Sequence, residues 1–409
     1  MSARRDKAPH APWPMARLGD VCDEIKDRIQ SSKIAVDEYV TTDNMVKDRG
    51  GIGQAEYVPS DVGLVEYHKG DVLVANIRPY LKKIWLADHD GGCSSDVVVF
   101  RTNTDGLSSE YLYSVLSQDA YFEYVMQKPR GTKMPRGDRD WMKEFRFPLP
   151  PLFEQKEIVA RLERELAAVE KMKKVFEALA ETAKAEFKAE LKEVFEELKS
   201  GGVESGTGGT NGTVETRRLG EICEFMTSGS RGWAKYYSDS GELFITIKNV
   251  KDCAIDVHQV QHVKPPNGAE TERTRVKEGD LLISITADLG RTGVVTKAIE
   301  AAGAYINQHL ICIRLKKDMM LPMFAAYYVE SEDGKKQIAH RNKEAVKAGL
   351  NFASVSSILL PFPSLPVQRQ IVDRLSAAKA RTEKLEAKAR EGVAVCETMR
   401  KAILKEAFE

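Results

Sequence analysis

Between Lys128 and Arg146 the chain sets seven cations, Lys128, Arg130, Lys133, Arg136, Arg139, Lys143 and Arg146, against Asp138, Asp140 and Glu144 alone. The stretch reads KPRGTKMPRGDRDWMKEFR, broken by Gly and Pro and carrying Trp141. Clustered guanidinium and ammonium groups on an irregular backbone suit contact with phosphate oxygens. A solvated surface loop has the same composition, so charge alone leaves both readings open. No residue set elsewhere has the spacing of a catalytic centre. There is no Gly-x-x-x-x-Gly-Lys-Ser/Thr, no Asn/Asp-Pro-Pro-Tyr, no Gly-x-Ser-x-Gly and no His-Glu-x-x-His. The six cysteines form no Cys-x-x-Cys pair and the seven histidines no His-x-x-x-His. They read as core thiols of a reducing compartment, with neither disulfide nor metal.

The elements that must position such loops are written twice. Residues 148–162 (PLPPLFEQKEIVARL) and 361–375 (PFPSLPVQRQIVDRL) agree at eight of fifteen positions, at an offset of 213. Arg17–Cys22 matches Arg218–Cys223, and Gly70-Asp71-Val72-Leu73-Val74 matches Gly279-Asp280-Leu281-Leu282-Ile283. A period this long excludes a solenoid, whose repeats run about 20–50 residues. It marks a duplicated domain with a duplicated helix. Between the shared blocks the halves diverge, which predicts one scaffold with two different recognition surfaces.

Glu154 to about Lys199 is free of Gly and Pro, with apolar residues at Leu162, Leu166, Val169, Phe176, Ala183, Phe187, Val194 and Leu198. From Val367 to about Ala407, Ile371, Leu375, Ala378, Thr382, Leu385, Ala389, Gly392, Cys396, Met399 and Ile403 recur at alternating spacings of four and three. Both patterns predict long helices, the second with a coiled-coil seam of small residues. A stripe of this kind must be buried, and the natural partner is the other copy. A pseudo-twofold pair would be antiparallel, with the globular domains at opposite ends. Ser200–Thr213 (SGGVESGTGGTNGT) reads as a flexible linker. Within the halves, short β-rich runs (Asp71–Ile77, Asp96–Arg101, Leu243–Ile247, Asp280–Ile285, His309–Leu315) alternate with turns, and helices are predicted at Ser109–Met126 and Leu321–Ala339. The fold class is therefore α/β (α+β): two globular domains joined by two long antiparallel coiled-coil helices. The boundaries are 1–150, helix 151–199, linker 200–213, 214–365 and helix 366–409.

Totals add little. The net charge is zero, with 61 basic and 61 acidic residues. Residues 1–150 carry 21 Lys and Arg against 23 Asp and Glu, and residues 214–365 carry 20 against 18, so neither half is basic as a whole. No apolar run approaches the roughly 18 residues of a membrane span, and the basic start lacks a signal peptide's apolar core. The expected location is the cytoplasm.

The two junction blocks, extended to PLPPLFEQKEIVARLERELAAVE and PFPSLPVQRQIVDRLSAA, resemble the specificity subunit of type I restriction-modification systems. So do IRPYLKKIWLA (Ile77–Ala87), GGCSSDVVVFR (Gly91–Arg101), RGTKMPRG (Arg130–Gly137), SGSRGWAKYY (Ser228–Tyr237) and GDLLISITADLGRTGVV (Gly279–Val295). The second copy of the Arg130–Gly137 loop, HRNKEAVKAGLNF, lacks the Met-Pro element. The resemblance covers nearly the whole chain. It implies a subunit without catalytic residues, whose two target recognition domains each read half of a split double-stranded DNA sequence. It also implies helices that set the gap and dock two modification (methyltransferase) subunits, with a restriction/translocase subunit as a further partner. S-adenosylmethionine, ATP and Mg²⁺ would be bound by those partners, with no cofactor or metal in this chain and no membrane partner. DNA contacts are then expected from Arg78, Tyr80, Lys82, Lys83, Lys133, Arg136 and Arg139 in the first domain. In the second they are expected from Ser230, Arg231, Trp233, Lys235, Lys248, Arg291, Lys343 and Lys347. Partner docking is expected from Gln155, Ile158, Val159, Arg161 and Leu162, and from Gln368, Ile371, Val372, Arg374 and Leu375. The competing reading is a coiled-coil scaffold with protein-binding globular domains.

Overall fold

In the computed structural model, residues 13–201, 214–343 and 349–408 are described, with backbone only for Lys343. The chain forms two compact units, one of residues up to Glu177 with those from Arg390 on, the other Ala178–Ala389. Most of the Ser200–Thr213 linker lies outside the described residues, as does Lys347.

The first unit runs β1 (Met15–Arg17), α1 (Leu18–Val21), β2 (Cys22–Glu24), β3 (Arg28–Gln30), β4 (Tyr39–Val40), β5 (Gly63–Tyr67), β6 (Val72–Ala75), β7 (Ile84–Leu86), β8 (Gly91–Cys93) and β9 (Val97–Thr102). Helices α2 (Ser109–Leu116), α3 (Asp119–Val125) and α4 (Arg139–Lys143) follow, then β10 (Arg146–Pro148) and the long α5 (Leu152–Lys199), whose residues from Ala178 on belong to the second unit. One sheet has the order β2-β9-β6-β7, the other β3-β5-β8-β4, and β1 pairs with β10. The apolar runs expected as strands lack alternation because they are covered on both faces. Val72, Val74, Val98 and Phe100 face the helices. Leu73, Ala75, Val97 and Val99 enter a separate core with Tyr67 and Trp85. Side chains two apart share a face, so one run serves two cores.

The second unit runs β11 (Thr216–Arg218), β12 (Cys223–Ser228), β13 (Tyr237–Ser238), β14 (Glu242–Ile245), β15 (Val250–Lys251), β16 (Ala254–Ile255) and β17 (Gln261–Val263). Then come α6 (Ala269–Thr274), β18 (Leu281–Ser284), β19 (Thr292–Val294), α7 (Lys297–Ala302), β20 (Ala304–Ile306) and β21 (Leu310–Leu315). It ends with α8 (Pro322–Glu330), α9 (Glu332–Lys343), α10 (Phe352–Ser356), β22 (Leu359–Pro361) and α11 (Leu365–Glu406), whose residues from Arg390 on belong to the first unit. The β11–β22 clasp and the β12-β21-β18-β19 sheet repeat β1–β10 and β2-β9-β6-β7. The other sheet departs, being ordered β13-β17-β14-β20, so the strands of its parallel pair exchange places relative to β8 and β4.

Shared sequence blocks become shared devices. Asp71 accepts both Nε and a terminal nitrogen of Arg101 (2.8 and 2.7 Å), and Asp280 does the same with Arg314 (2.8 and 2.7 Å). Each carboxylate also caps its own turn, from His68 N and Lys277 N. The preceding Gly70 and Gly279 take φ of +92° and +85°, where a side chain is disfavoured. Single long helices expected at 109–126 and 321–339 are each broken in two, at Ser117–Gln118 and at Ser331, whose hydroxyl donates to Tyr328 O (2.6 Å).

The helices pair antiparallel within each unit. In the first, Phe176 packs on Gly392 and Lys173 meets Glu397 (3.7 Å). In the second, Thr382 donates to Ala183 O (3.2 Å) and Arg374 bonds Glu190, Glu193 and Glu197. The expected seam residues of α5 are all buried or half-buried. On α11 the pattern holds to Cys396, but Met399 is exposed and Arg400 takes its place inward. Beyond Cys396 the helix packs on the β2-β9-β6-β7 core through Leu404 and Ala407, so the two-helix spacing no longer governs.

Five cysteines are buried and Cys223 is half-buried, all as free thiols, as expected of core residues. Burial pushes Cys22 and Cys93 up to about 12, which makes them poor nucleophiles. No described helix is long and apolar enough to cross a membrane.

Candidate nucleic-acid interface

In the first unit two expected contact loops are stapled into one surface. Arg78 N donates to Pro135 O (2.7 Å), Gly137 N to Asn76 O (3.0 Å), and Arg130 and Arg136 exchange backbone bonds (2.8 Å each). Arg78 sits at φ +51° and Lys82 at φ +52°, bracketing a short turn that holds Tyr80 half-exposed. Arg78 and Lys133 are exposed. Arg136 reaches Asp96 at 3.4 Å, a loose contact. Three other candidates are engaged inside the unit. Lys82 bonds Asp119 (2.7 Å), Lys83 bonds Thr42 O (2.6 Å), and Arg139 bonds Glu24 (2.7 Å) and Ser95 O (2.5 Å). Burial works to raise the Glu24 carboxyl, but hydrogen bonds from Lys143 and Arg139 outweigh it and hold Glu24 below its ordinary range. Trp141 is likewise engaged, stacked on Tyr124 (4.5 Å) with the Lys128 ammonium 3.7 Å from its ring centre.

In the second unit the candidates converge on one turn, Asn307-Gln308-His309, between β20 and β21. The 228–236 loop joins it through Ser230 N to Ile306 O (2.9 Å) and Gln308 N to Ser230 O (3.1 Å). The 284–291 loop joins through Ile285 N to His309 O (3.0 Å) and Thr286 Oγ1 to His309 Nδ1 (2.9 Å). The strand leading to Lys248 joins through Asn307 N to Ile245 O (3.0 Å). Around this hub Arg231, Lys235 and Lys248 are exposed, while Arg291 is half-buried and paired with Asp288 (2.5 Å). Lys347 and the side chain of Lys343 lie outside the described residues.

Ser230 and Trp233 are corrected from surface contacts to core. Each is 3% exposed. Ser230 bonds Thr274, and Trp233 stacks on Phe244 (5.7 Å) and meets Tyr305 at a tilt (5.4 Å). The hub was missed because Asn, Gln and His carry no charge signal. The repeat offset points to it, since Ser94-Ser95-Asp96 stands 213 residues earlier. It makes the same bonds, Ser94 N to Val40 O (2.8 Å) and Val97 N to Ser94 O (3.0 Å), matching Asn307 N to Ile245 O and Leu310 N to Asn307 O (3.1 Å). Arg136 and Arg139 gather on that turn, so both units centre their candidate loops at one scaffold position.

Most of the expected docking residues are also core. Gln155 and Gln368 are fully buried pins. Gln155 accepts from Ser108 N (2.9 Å) and donates to Gly106 O and Pro150 O (2.7 Å each). Gln368 accepts from Leu321 N (2.8 Å) and donates to Met319 O (3.0 Å) and Pro363 O (2.9 Å). Ile158, Leu162, Ile371 and Leu375 are at most 7% exposed, and Val159 and Val372 pack against the same cores. Burial in the chain's own interior withdraws six of these from a docking surface, and Val159 and Val372 are half-buried against it. Arg161 remains, on an open cavity of about 760 Å³ with Trp13, Phe153 and Glu157. Phe153 is 71% exposed. Arg374 is exposed but held by its three glutamates.

The fold is that of a tandem-repeat α/β protein built on two long helices. Residues 11–179 and 211–393 both match the family described as type I restriction modification DNA specificity domain, and the chain belongs to that family. It is similar to the type I restriction enzyme EcoBI specificity subunit of Escherichia coli, 23% identical over 164 residues, 40% of this chain and 34% of that protein. It is similar also to the EcoDI specificity subunit of the same organism, 31% identical over 109 residues, 27% of this chain and 24% of that one. The aligned stretches thus span about a third and a quarter of those relatives' lengths. Among solved structures, a chain from work on complex assembly and conformational transition of the type I R-M system superposes with a TM-score of 0.76. It is 24% identical, covering 98% of this chain and 99% of that one, and shows the fold. The HsdS subunit from Thermoanaerobacter tengcongensis gives 0.52 at 25% identity, covering 99% and 98%.

Proposed function

We propose that the chain is the sequence-reading subunit of a type I restriction-modification complex. Each unit reads one half of a bipartite double-stranded DNA target. The helix pair sets the gap between the halves and, with the Phe153–Arg161 face, docks two modification subunits, and a restriction subunit joins them. The chain performs no chemistry of its own. S-adenosylmethionine, ATP and Mg²⁺ belong to the partners, and the complex works in the cytoplasm. The observation that carries this reading is the coincidence of the two family matches with two equivalent units whose central turns differ, Ser-Ser-Asp against Asn-Gln-His. Equal scaffolds with unequal turns suit two unlike half-sites.

Phosphate contacts supply affinity and base-edge contacts supply sequence. Binding of the assembled complex to random duplex should therefore weaken steeply with salt, whereas a protein-binding scaffold would show no such slope. Inserting four residues, about one turn, into both α5 and α11 should lengthen the gap between half-sites and leave their bases unchanged. An unaltered gap would refute the helices as spacer.

A further inference from the structure

Beside the Asn307–His309 turn the second unit opens a groove of about 690 Å³. Lys248, Gln259, Gln261, Asn307 and His309 are among its ten lining residues, none of which is acidic. In a chain with 61 Asp and Glu side chains that is a departure, and no lining carboxylate opposes an approaching phosphodiester. The groove's hydrogen-bonding capacity is uneven. Gln261 spends its amide nitrogen on His262 O (3.0 Å) and Ser238 O (3.3 Å). His309 engages both ring nitrogens, with Thr286 (2.9 Å) and Gln308 (3.2 Å). Asn307 accepts from His309 N (3.2 Å) through Oδ1, and its Nδ2 makes no bond among the described residues. Gln259 is exposed, and its carboxamide is unengaged among the described residues. Lys248 is exposed.

A carboxamide offers one acceptor beside one donor, the complement of adenine's N6 amino group and N7 in the major groove; guanine instead presents two acceptors there, which suit Arg or Lys. No arginine lines this groove, and its one lysine, Lys248, is exposed, whereas two of its carboxamides are open to bond. We propose that the groove reads an adenine-bearing base pair of the half-site taken by the second unit, with Gln259 and Asn307 as specificity-determining side chains and Lys248 on the adjoining phosphate. This rests on the reading of the chain as a DNA-sequence-reading subunit and adds to it which residues read and which base.

The test is selection from a random-sequence duplex pool by the full chain assembled with its methyltransferase subunits. Wild type, Gln259→Ala, Gln259→Arg and Asn307→Ala would be compared. Gln259 lies on an exposed segment, so its variants should fold. At one position in one half-site, preference for adenine should fall roughly ten- to hundredfold with either alanine variant. Gln259→Arg should move that position towards guanine. The half-site read by the first unit should be unchanged. If wild type enriches no common sequence, the proposed function fails. If wild type enriches a bipartite sequence and the Gln259 variants enrich the same one, the function stands and this assignment falls. The assignment also falls if a variant melts like wild type yet binds no duplex at all, because the residue would then anchor backbone and not read a base.

Discussion

Gln155 and Gln368 stand 213 positions apart and do one job, each satisfying three backbone groups where a globular domain turns into its long helix. Their identity in the repeat was legible in the sequence; their role was not, because a glutamine in an Arg/Glu-rich helix start looks like surface. Truncation to alanine leaves buried backbone groups unpaired at about 1–3 kcal/mol each. Gln155→Ala or Gln368→Ala should therefore lower the unfolding free energy by about 3 kcal/mol or more in urea titration. Arg374→Ala, despite its three glutamates, should cost under about 1 kcal/mol, because exposed ion pairs contribute little. Glu24 gives a pH prediction. Its folded value lies below the ordinary one, so its contribution is present above about pH 4.5 and is lost as pH falls through the lowered value. Glu24→Gln should melt at a lower temperature than wild type near neutrality, with the two converging on acidification. A constant difference from pH 7 to 3 would contradict the Glu24–Arg139–Lys143 cluster as described.

At the level of elements, the long helices were the most legible part of the chain. Their 3.5-residue spacing is set by one requirement, a stripe buried against one partner, and α5 and α11 begin and end within about two residues of the expected bounds. The pattern fails at Met399 because α11 there meets a second surface, the Tyr111 core, with Phe408 5.6 Å from the Tyr111 ring. The small residues of α11 permit close approach, most sharply at Gly392, where an added Cβ would lie 2.4 Å from the Phe176 ring. Gly392→Leu should destabilise by about 1–3 kcal/mol through overpacking. Phe176→Ala should recover part of that loss in a double-mutant cycle. Strictly additive effects would show that the two do not share a contact. The strands were legible as apolar runs, but their sheet assignment was not. A run covered on both faces carries no alternation to say which core takes which residue, and the exchange of places in the β13-β17-β14-β20 sheet leaves no mark in composition.

For the whole molecule, the duplication gives the functional argument its structure. In the first unit the cation-rich run from Lys128 to Arg146 is bonded to the turn that carries Arg78, and Arg78, Lys133 and Arg136 are exposed there. In the second unit the motif resemblance pointed to Ser230 and Trp233, which are interior, and the loops meet instead at the Asn307-Gln308-His309 turn. Charge reports where phosphate can be held; base edges are read by neutral side chains as well as charged ones, and sequence composition does not distinguish the neutral readers from ordinary polar surface. The central claim is that the two units read separate halves of one target. The direct measurement is a map of adenine methylation in cells carrying this chain with its partner subunits, set against cells in which residues 214–365 are replaced by the corresponding domain of a relative. The account predicts a two-part motif with a fixed gap, of which one half changes on replacement while the other half and the gap persist. A motif in which both halves change, or neither does, would contradict it.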